Sequence, residues 1–475
     1  MSFINGAFAE TDAPQMAVVN PATGGTIGQV PMSRPQDMVR AIDAADAAFA
    51  SWGETLAAER ELILIRMADA LEQHRAELVD LLIDEAGSTF GKACFEVEFT
   101  ASMLRSASGE ARRIFGHVIP SDAPGCLSFT LRRPLGVIGA IAPFNYPLLL
   151  GTKKVCMAIA AGNTVVMKPS EETSMIALKA AAVFQAAGLP PGVLNVVSGD
   201  GAILGGVLLS DPRVKMISFT GSTRVGRFLA VECARMGKKI TLEMGGKSPV
   251  IVLDDADLDY AVETAAFGIF IHQGQICMAG SRIIVDEAVY EAFLDRFVAK
   301  VRQLKMGDPR QPDTVIGPLI RASQCAFIAD AVATAVKGGA RLMCGGRHKG
   351  NFFEPTVLAD VTREMSVFKD ELFGPVASVI KARDASHALA LANDSCYGLS
   401  SAVLTRSLDK ALHFARHLEA GVVHVNSSTI EDNPHAPFGG VKDSGMGREG
   451  GQWSMEEMTE TKWVTIQQGR RTYPF

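Results

Sequence analysis

Apolar residues at helical spacing dominate the first part of the chain. Residues 36–50 and 57–86 are predicted to be helical, and Gly87 is typical of a helix end. The apolar positions that support the second of these segments are Leu62, Ile65, Ala68, Leu78 and Leu82. Residues 109–134 are more polar and irregular, and they predict an arm that leaves the domain.

From residue 135 onward, short apolar runs alternate with helical patterns. The predicted strands are 135–142, 163–168, 193–197, 214–219 and 238–243. The predicted helices between them are 147–161, 173–187, 203–209 and 222–236. Such alternation predicts a parallel sheet covered by helices on both faces. Ligands of these folds bind at the carboxyl ends of the strands.

A second alternating series runs from residue 249 to residue 426 and predicts a second α/β domain. Its predicted strands are 249–253, 282–285, 375–380, 401–405 and 422–425. The tail from residue 459 alternates polar and apolar positions, which predicts an edge strand. The fold class is therefore α/β, with two parallel-sheet domains.

Composition narrows the class of protein. A chain of 475 residues is too long for one ordinary core, and its 48% hydrophobic and 21% charged residues are ordinary for a globular enzyme. A net charge of −6 argues against nucleic acid or an anionic membrane as a partner. The start of the chain lacks signal-peptide features, and no apolar run reaches a membrane-spanning length. The eight cysteines are scattered without metal-site spacing, so we expect a cytoplasmic, metal-free protein.

One cysteine stands out, because Cys277 lies in the uncharged stretch GIFIHQGQICMAGS at 268–281. Small residues such as Gly274 and Gly280 let the backbone come close to a substrate. A thiolate is a strong nucleophile, and a positive environment stabilises it. The alternative is a buried, inert thiol, which is common for cysteine.

Two segments at predicted strand ends are candidates for binding a nucleotide. FTGSTRVG contains Gly221, Ser222 and Gly226 between a strand and a helix, where free N–H groups suit a pyrophosphate. KPSEE places Lys168, Ser170 and Glu171 at another strand end, where an acid accepts hydrogen bonds from a ribose. An ordinary turn is the alternative for each segment.

Two further glycine-rich segments are weaker candidates. SGDGAILGG at 198–206 has glycines near dinucleotide spacing but lacks the acidic partner, so it is interpreted as a turn near a cofactor at most. MGGKS at 244–248 ends like a phosphate-binding loop, but the glycine required at position 241 is Thr241. A nucleotide triphosphatase is therefore not indicated.

Two polar residues at strand ends are candidates for catalysis. Glu243 precedes two glycines and could act as a general base on water, or could serve as a helix-cap or salt-bridge acid. Asn145 lies between two prolines in PFNYP, and an amide on so rigid a backbone is a good oxyanion donor. By itself, PFNYP would indicate only a turn.

Taken together, these motifs resemble the aldehyde dehydrogenase superfamily along nearly the whole chain. The motifs occur in the order PFNYP, KPSEE, FTGSTRVG, LEMGGK, GQICM, ELFGP (371–375) and PFGGVKDSGMGREG (437–450). Within the superfamily, HQGQICM and NPHAPFGG are most similar to benzaldehyde, vanillin and salicylaldehyde dehydrogenases. One departure is Phe144, where many members have tryptophan.

The resemblance implies a role for each motif. Cys277 would be the nucleophile, Asn145 and the Cys277 N–H the oxyanion hole, Glu243 the deacylation base and Glu449 a secondary proton relay. The implied cofactor residues are Lys168, Ser170, Glu171, Gly221, Ser222, Gly226, Glu371 and Phe373. The cofactor would be NAD, preferred over NADP because the carboxylate of Glu171 would repel a 2′-phosphate. Retention of Glu243 argues against the branch that transfers the acyl group to coenzyme A.

The resemblance also implies how the chain is divided. Residues 1–117 and 135–245 would form an NAD-binding domain, and residues 246–444 a catalytic domain. Residues 118–134 and 458–475 would form an oligomerisation arm of a homodimer or homotetramer.

The substrate is expected to be an aromatic aldehyde, oxidised to its acid through a thiohemiacetal and a thioester of Cys277. The implied pocket residues are Tyr146, Leu149, Leu150, Lys153, Ile276 and Met278, which are mostly apolar. Lys153 would either face the mouth of the substrate tunnel or make a surface salt bridge. An aliphatic aldehyde or a semialdehyde is the alternative substrate. A thiol hydrolase with His272 as its base, and a non-enzymatic binding protein, are the competing functions.

Overall fold

Five parallel strands form the centre of an eight-stranded sheet in the computed structural model, which describes residues 1–475. In spatial order the strands are Ala7–Ala9, Ser2–Ile4, Leu194–Val196, Thr164–Lys168, Val137–Ile141, Val214–Thr220, Lys239–Glu243 and Gly445–Met446. The parallel pairing runs from Leu194–Val196 to Lys239–Glu243.

The chain order reverses at the centre of this sheet. Val137–Ile141 is the first of the five parallel strands in sequence, and it lies between Thr164–Lys168 and Val214–Thr220. Connections that leave neighbouring strands in opposite directions open a crevice at the carboxyl ends of those strands. The segments that follow Ile141 and Thr220 therefore flank this crevice.

Alternation along the strands explains why both faces of the sheet are covered. Val137, Val166 and Ile217 pack in one cluster, whereas the adjacent Ile138 and Val165 pack in another, as the two-residue period of a strand requires. The helices on the first face are Pro35–Trp52, Gly201–Ser210 and Thr223–Arg235. The helices on the second face are Ala57–Gln73, Arg75–Ala86, Phe90–Glu110, Pro147–Ala160 and Ser174–Ala186.

The second half of the chain forms a seven-stranded sheet. Its strands in spatial order are Arg341–Cys344, Thr356–Ala359, Val376–Ala382, Arg282–Asp286, Pro249–Val252, Ser400–Leu404 and Val422–Val425. Only the pair at one edge, Arg341–Cys344 with Thr356–Ala359, is antiparallel. The helices that cover this sheet are Leu258–Phe270, Tyr290–Val301, Ala322–Lys337, Ala385–Asn393 and Leu408–His417.

A small antiparallel sheet joins two segments that are far apart in sequence. Thr459–Gln467 pairs with Cys126–Pro134 along its whole length, and Val118–Ile119 pairs with the other side of Cys126–Pro134. Large apolar side chains remain exposed on this sheet, with Val118 at 80% and Trp463 at 69%. The remaining short elements are Gln15–Val19, Thr26–Pro31, Glu171–Thr173, Ile271–Gly274, His348–Lys349, Phe352–Phe353, Ser366–Lys369, Tyr397–Gly398, Val441–Lys442 and Gly451–Glu457.

The strands predicted for the two alternating series are all present, with ends shifted by at most two residues. The predicted helix over 57–86 is instead two helices that meet at His74. Phe90–Glu110 was not predicted to be a helix, because it buries charged side chains among its apolar ones and lacks a clean apolar stripe. No helix combines the length and the apolar character that a membrane span would require.

Candidate active site

A cleft of about 910 Å³ is lined by residues at the carboxyl ends of the first sheet's strands and by residues such as Cys277 and Phe373, which precede strands of the second sheet. Its volume is within the range typical of small-molecule and cofactor sites. The predicted site residues on its walls are Asn145, Leu150, Lys168, Ser170, Glu171, Gly221, Ser222, Cys277, Glu371 and Phe373. Apart from Leu150, these residues come from five separate motifs, so the fold brings much of the predicted constellation together, whereas Glu243 and Glu449 are buried and do not line the cleft.

Glycines after Glu243 allow two site residues to approach the same backbone. A Cβ on Gly245 would lie 2.3 Å from Glu371 Oε2, and a Cβ on Gly246 would lie 2.3 Å from the carbonyl oxygen of Cys277. Gly246 N donates a hydrogen bond to Glu371 Oε1 at 3.0 Å. The two glycines of LEMGGK are therefore required by the close packing of Glu371 and the Cys277 backbone.

The segment before Cys277 holds an unusual backbone conformation. His272 and Gln273 have φ values of 48° and 56°, in the left-handed region that side chains disfavour, and Gly274 follows at 70°. Gln273 Nε2 donates to the carbonyl of Pro318 at 2.9 Å and helps to hold this turn. Strained backbone of this kind persists where the surrounding structure stabilises it, often at functional sites.

The environment of the Cys277 thiol is apolar and negative, contrary to the positive surroundings that would favour a thiolate. Burial raises the pKa of Cys277, and the nearby carboxylates of Glu243 and Glu371 raise it further. The backbone N–H groups of Met278 and Cys277 act in the opposite direction, but with less effect. The chain itself therefore keeps this thiol protonated at neutral pH.

The side chain of Asn145 connects the two halves of the site. Its Nδ2 donates to the carbonyl oxygen of Gln275 at 2.9 Å, two residues before Cys277. Asn145 is buried, with 4% of its surface exposed, yet it lies on the cleft wall. Because a carboxamide carries two N–H bonds, one remains for a ligand in the cleft.

Glu243 and Glu449 are both buried, but their surroundings differ. Burial and the charge of Glu449 raise the pKa of Glu243, and Glu243 Oε2 has no hydrogen-bond partner. Burial opposes ionisation of Glu449 too, but Lys154 and Lys153 outweigh it and lower the pKa of Glu449. Lys154 Nζ donates to Glu449 Oε1 at 2.7 Å. The surroundings thus shift the pKa values of the two carboxyl groups in opposite directions.

An ion pair and the starts of two helices, Gly201–Ser210 and Thr223–Arg235, form another part of the cleft wall. Lys168 Nζ donates to Glu171 Oε1 at 2.7 Å, and both residues lie on the wall. The helix Gly201–Ser210 begins beside them, since a Cβ on Gly201 would lie 3.2 Å from Glu171 Oε1. Asp200 caps that helix through the N–H groups of Ala202 and Ile203. The segment at 198–206, interpreted as a turn, is therefore part of the wall.

These features fit a dinucleotide. Helix starts supply backbone N–H groups and a positive dipole end, which suit a pyrophosphate. Ser222 occupies the N-cap position of the helix Thr223–Arg235 on the wall, as predicted. Gly226 does not line the cleft. A Cβ on Gly226 would lie 2.3 Å from Met244 Sδ, so this glycine permits close packing of the helix behind the wall.

The predicted pocket residues are mostly buried away from this cleft. Leu150 lies on its wall, whereas the other five are buried outside it: Tyr146, Leu149, Lys153, Ile276 and Met278. Lys153 is the main correction, because it does not form a surface salt bridge. Its side chain is 1% exposed, and its Nζ donates to Asp432 Oδ2 at 2.7 Å. The Phe438 ring lies 4.3 Å from the Lys153 ammonium.

The structure adds wall residues that the sequence did not suggest. Arg224, Arg321 and Gln324 line the cleft. Arg321 Nε is 2.6 Å from Glu172 Oε1, and its guanidinium lies 6.0 Å from the centre of the Phe144 ring. Arg224 lies within the FTGSTRVG motif and could have been noticed there, whereas no motif marks Arg321 or Gln324.

His272, the base that a thiol hydrolase would need, is unsuited to that role. The residue is fully buried, and burial lowers its pKa well below the usual value. Its ring packs edge-on against Tyr146, with 5.4 Å between ring centres, and neither ring nitrogen has a hydrogen-bond partner. A thiol hydrolase is therefore not supported.

The chain belongs to the aldehyde dehydrogenase family and is an oxidoreductase that acts on aldehydes. The model of the Aldehyde dehydrogenase family matches residues 8–464. A vanillin dehydrogenase of Corynebacterium glutamicum is 41% identical, over 98% of this chain and 96% of the relative. A benzaldehyde dehydrogenase of Bacillus subtilis is 40% identical, over 100% of this chain and 98% of the relative. A glutarate-semialdehyde dehydrogenase of Pseudomonas aeruginosa is 40% identical, over 98% of this chain and 97% of the relative.

Solved structures agree with the family assignment. A salicylaldehyde dehydrogenase from Pseudomonas putida G7, complexed with salicylaldehyde, is 37% identical, with a TM-score of 0.98 over 100% of this chain and 99% of that chain. An NADP-dependent enzyme from E. coli is 38% identical with a TM-score of 0.97, over 98% of both chains. The predicted fold class is thereby confirmed.

The raised pKa of Cys277 predicts how its reactivity depends on pH. Without cofactor, the rate of alkylation of Cys277 by iodoacetamide should rise by about tenfold per pH unit between pH 7 and pH 9, because only the thiolate reacts. Peptide mass spectrometry would follow this residue separately from the exposed Cys396. A rate that levels off below pH 8 would contradict the prediction, and Cys277→Ser is the control for assignment of the label.

Proposed function

We propose that Cys277 forms a covalent adduct with an aromatic aldehyde and that the chain releases the carboxylic acid. The supporting observation is the arrangement around one sulfur: Cys277 shares a cleft with Asn145 and Glu371, and the charge of Glu243 reaches the thiol. The site thus combines a nucleophile, an amide donor and a carboxyl group with a raised pKa.

In this mechanism the Cys277 thiol would lose its proton to solvent, favoured by the positive charge of bound NAD(P)⁺, and the resulting thiolate would add to the aldehyde carbonyl. The free N–H of Asn145 and the backbone N–H of Cys277 hold the oxyanion, while the hydrogen bond to Gln275 fixes the amide. NAD(P)⁺, when bound, supplies the hydride acceptor and a positively charged ring. Loss of hydride from the adduct leaves a thioester on Cys277, which water then hydrolyses.

We assign the deacylation base to Glu243 and the proton relay to Glu449. A base must be able to take up a proton near neutral pH, and burial raises the pKa of Glu243 toward that range. Lys154 and Lys153 lower the pKa of Glu449, so a proton that Glu449 accepts within the buried cluster would be released readily. Pairs of carboxyl groups whose pKa values are driven apart often divide acid and base roles.

The cofactor would be held by residues of the cleft wall that the two helix starts and the Lys168–Glu171 ion pair form. These residues are Lys168, Ser170, Glu171, Gly221 and Ser222 for the adenosine and pyrophosphate, and Glu371 and Phe373 for the nicotinamide half. Gly226 would contribute only through packing. Burial raises the pKa of Glu371 to about 7, so this carboxyl group can bind a ribose hydroxyl either as an acceptor or, when protonated, as a donor.

The roles of Cys277 and Glu243 can be separated by single-turnover kinetics. Cys277→Ser should abolish NADH formation while NAD still binds. Glu243→Gln should form about one NADH per site in a burst and then stall, because water is needed only after the thioester forms. The measurement is absorbance at 340 nm after rapid mixing with aldehyde. Loss of the burst in Glu243→Gln would place Glu243 in the first step instead.

Glu171 predicts a preference for NAD over NADP. Its carboxylate would repel a 2′-phosphate. This repulsion is weakened because Lys168 Nζ lies 2.7 Å from Glu171 Oε1 and because the Glu171 side chain is 35% exposed to solvent. We expect Glu171→Gln to raise the ratio of kcat/KM for NADP to that for NAD by about fivefold, the scale of an exposed charge contact. Glu172→Gln, one residue further, is the matched control. A wild-type enzyme that prefers NADP would contradict this prediction.

We propose that the buried pair of Lys153 and Asp432 recognises a ring hydroxyl of the substrate. Leu150 lies on the cleft wall, and Lys153 follows it by three residues on the same helix, which places the two on one face. Asp432 Oδ1 is buried without a partner and can accept a hydrogen bond. Because the pair is neutral overall, it suits a phenol better than a carboxylate. A semialdehyde is the second candidate substrate, since a relative of similar identity is named for one.

The substrate proposal predicts that vanillin-type aldehydes are oxidised with higher kcat/KM than acetaldehyde. Removing both charges in Lys153→Met/Asp432→Asn should lower kcat/KM for a hydroxylated benzaldehyde about tenfold more than for benzaldehyde, the scale of a charged hydrogen bond. The double variant avoids leaving one charge unpaired in the core. Equal losses of kcat/KM for both substrates would mean that Lys153 and Asp432 have only a structural role. A higher kcat/KM for acetaldehyde or glutarate semialdehyde than for the aromatic aldehydes would exclude aromatic specificity.

We propose that residues 1–117 and 135–245 bind the cofactor, that residues 246–444 supply the nucleophile, and that residues 118–134 and 458–475 form an oligomerisation arm. The exposed Val118 and Trp463 support the last assignment, because apolar side chains of this size favour burial against another chain. A homodimer or homotetramer is expected, and sedimentation velocity would test it.

A further inference from the structure

A buried ion pair lies on the helix Phe90–Glu110, about fifty residues before the proposed oxyanion donor. The side chains of Lys92 and Glu96 are 1% and 0% exposed, and Lys92 Nζ is 2.5 Å from Glu96 Oε2. Neither residue lines the cleft, and neither belongs to a motif with an assigned role. Buried ion pairs often contribute little net stability, so the location of this pair calls for a reason.

The ammonium group of Lys92 uses all three of its N–H bonds. Besides the bond to Glu96, it donates to Ser88 Oγ at 3.0 Å and to the carbonyl oxygen of Asn145 at 2.8 Å. The same ammonium lies 4.2 Å from the centre of the Tyr146 ring. Lys92 therefore contacts two successive residues of the segment that carries the amide.

Glu96 holds the other end of that segment. Its Oε1 accepts hydrogen bonds from Leu148 N at 2.9 Å and from Leu149 N at 3.1 Å. These N–H groups belong to the first turn of the helix Pro147–Ala160, where backbone donors lack partners within the helix. A carboxylate at this position also interacts favourably with the helix dipole. The pair thus fixes the main chain from residue 145 to residue 149 at both ends.

We infer that Lys92 and Glu96 are positioning residues that aim the amide of Asn145 at the reacting carbonyl oxygen. The inference rests on the proposed function, in which Asn145 stabilises the oxyanion. Gln275 fixes the side chain of Asn145, and Lys92 fixes its carbonyl, so the remaining N–H has a defined direction. A catalytic donor is effective only when its direction is set before the charge develops.

A double-mutant cycle between Lys92 and Asn145 tests the inference. Lys92→Met should slow the first step, measured as the NADH burst rate at saturating NAD and aldehyde, by about 100-fold, the scale of a misplaced catalytic group. In the background of Asn145→Ala, the same substitution should change the burst rate by less than about threefold, because a residue that acts only through Asn145 has nothing left to aim. Equal factors in both backgrounds would overturn the inference.

Two further measurements separate positioning from general damage to the fold. Alkylation of Cys277 by iodoacetamide forms no oxyanion, so Lys92→Met should leave its rate unchanged, and the Kd of NAD should also be unchanged. Glu85→Gln is the matched control, because Glu85 is a fully buried carboxyl group that accepts hydrogen bonds from Met175 N and Ile176 N at another helix start. If the burst and the alkylation rate fall together in Lys92→Met, as a structural defect would cause, the inference is wrong.

A second variant decides the outcome if Lys92→Met does not fold. Lys92→Met/Glu96→Gln removes both charges but keeps an amide oxygen for Leu148 N and Leu149 N, and it should show the same slow burst with normal alkylation. A burst at the wild-type rate in this variant would overturn the inference. Failure of the proposed function has a different signature: Asn145→Ala alone would then retain a fast burst.

Discussion

The hydrogen bond between Asn145 and Gln275 connects the two halves of the molecule beside the cleft. Asn145 follows the central strand of one sheet, and Gln275 lies 130 residues later, two residues before Cys277 and close to a strand of the other sheet. This contact, at 2.9 Å, fixes the amide of Asn145 relative to the backbone that carries Cys277. The strained turn at His272 and Gln273 lies just before this contact, in the segment that brings the Gln275 carbonyl to Asn145 and Cys277 to the cleft.

The charged side chains buried behind the cleft form ion pairs in an environment that excludes solvent. Lys154 and Lys153 neutralise Glu449 and Asp432, so most of the buried charge is paired. Glu243 is left without a partner for Oε2, and burial together with the charge of Glu449 raises the pKa of that carboxyl group. Gly439 in the PFGG motif is close to this group, since a Cβ there would lie 2.8 Å from Glu243 Oε1. In the low dielectric of the interior, the electrostatic interactions between these groups are stronger than they would be in water.

Much of the architecture was readable from local patterns. Parallel strands buried on both faces appear as short continuous apolar runs, and those at 137–141, 214–220 and 282–286 were predicted because of this. The arm was harder to recognise. Cys126–Pro134 and Thr459–Gln467 become a sheet only by pairing with each other across more than 300 residues, and neither segment alone carries a strong signal. Residue motifs also identified Cys277, Asn145 and several other residues that the structure places on one cleft wall.

The sequence by itself determined the order of elements, the family and the identity of the reactive groups, because these depend on residue type and on short spacings. Tertiary structure alone decided the surroundings of each group. It placed Lys153 in a buried pair with Asp432, placed Gly226 behind the wall, brought Arg321 into the cleft and set Lys92 against Asn145. Contacts of this kind join residues that are far apart in the chain, and their distances, burial and pKa values follow from packing that no local pattern records.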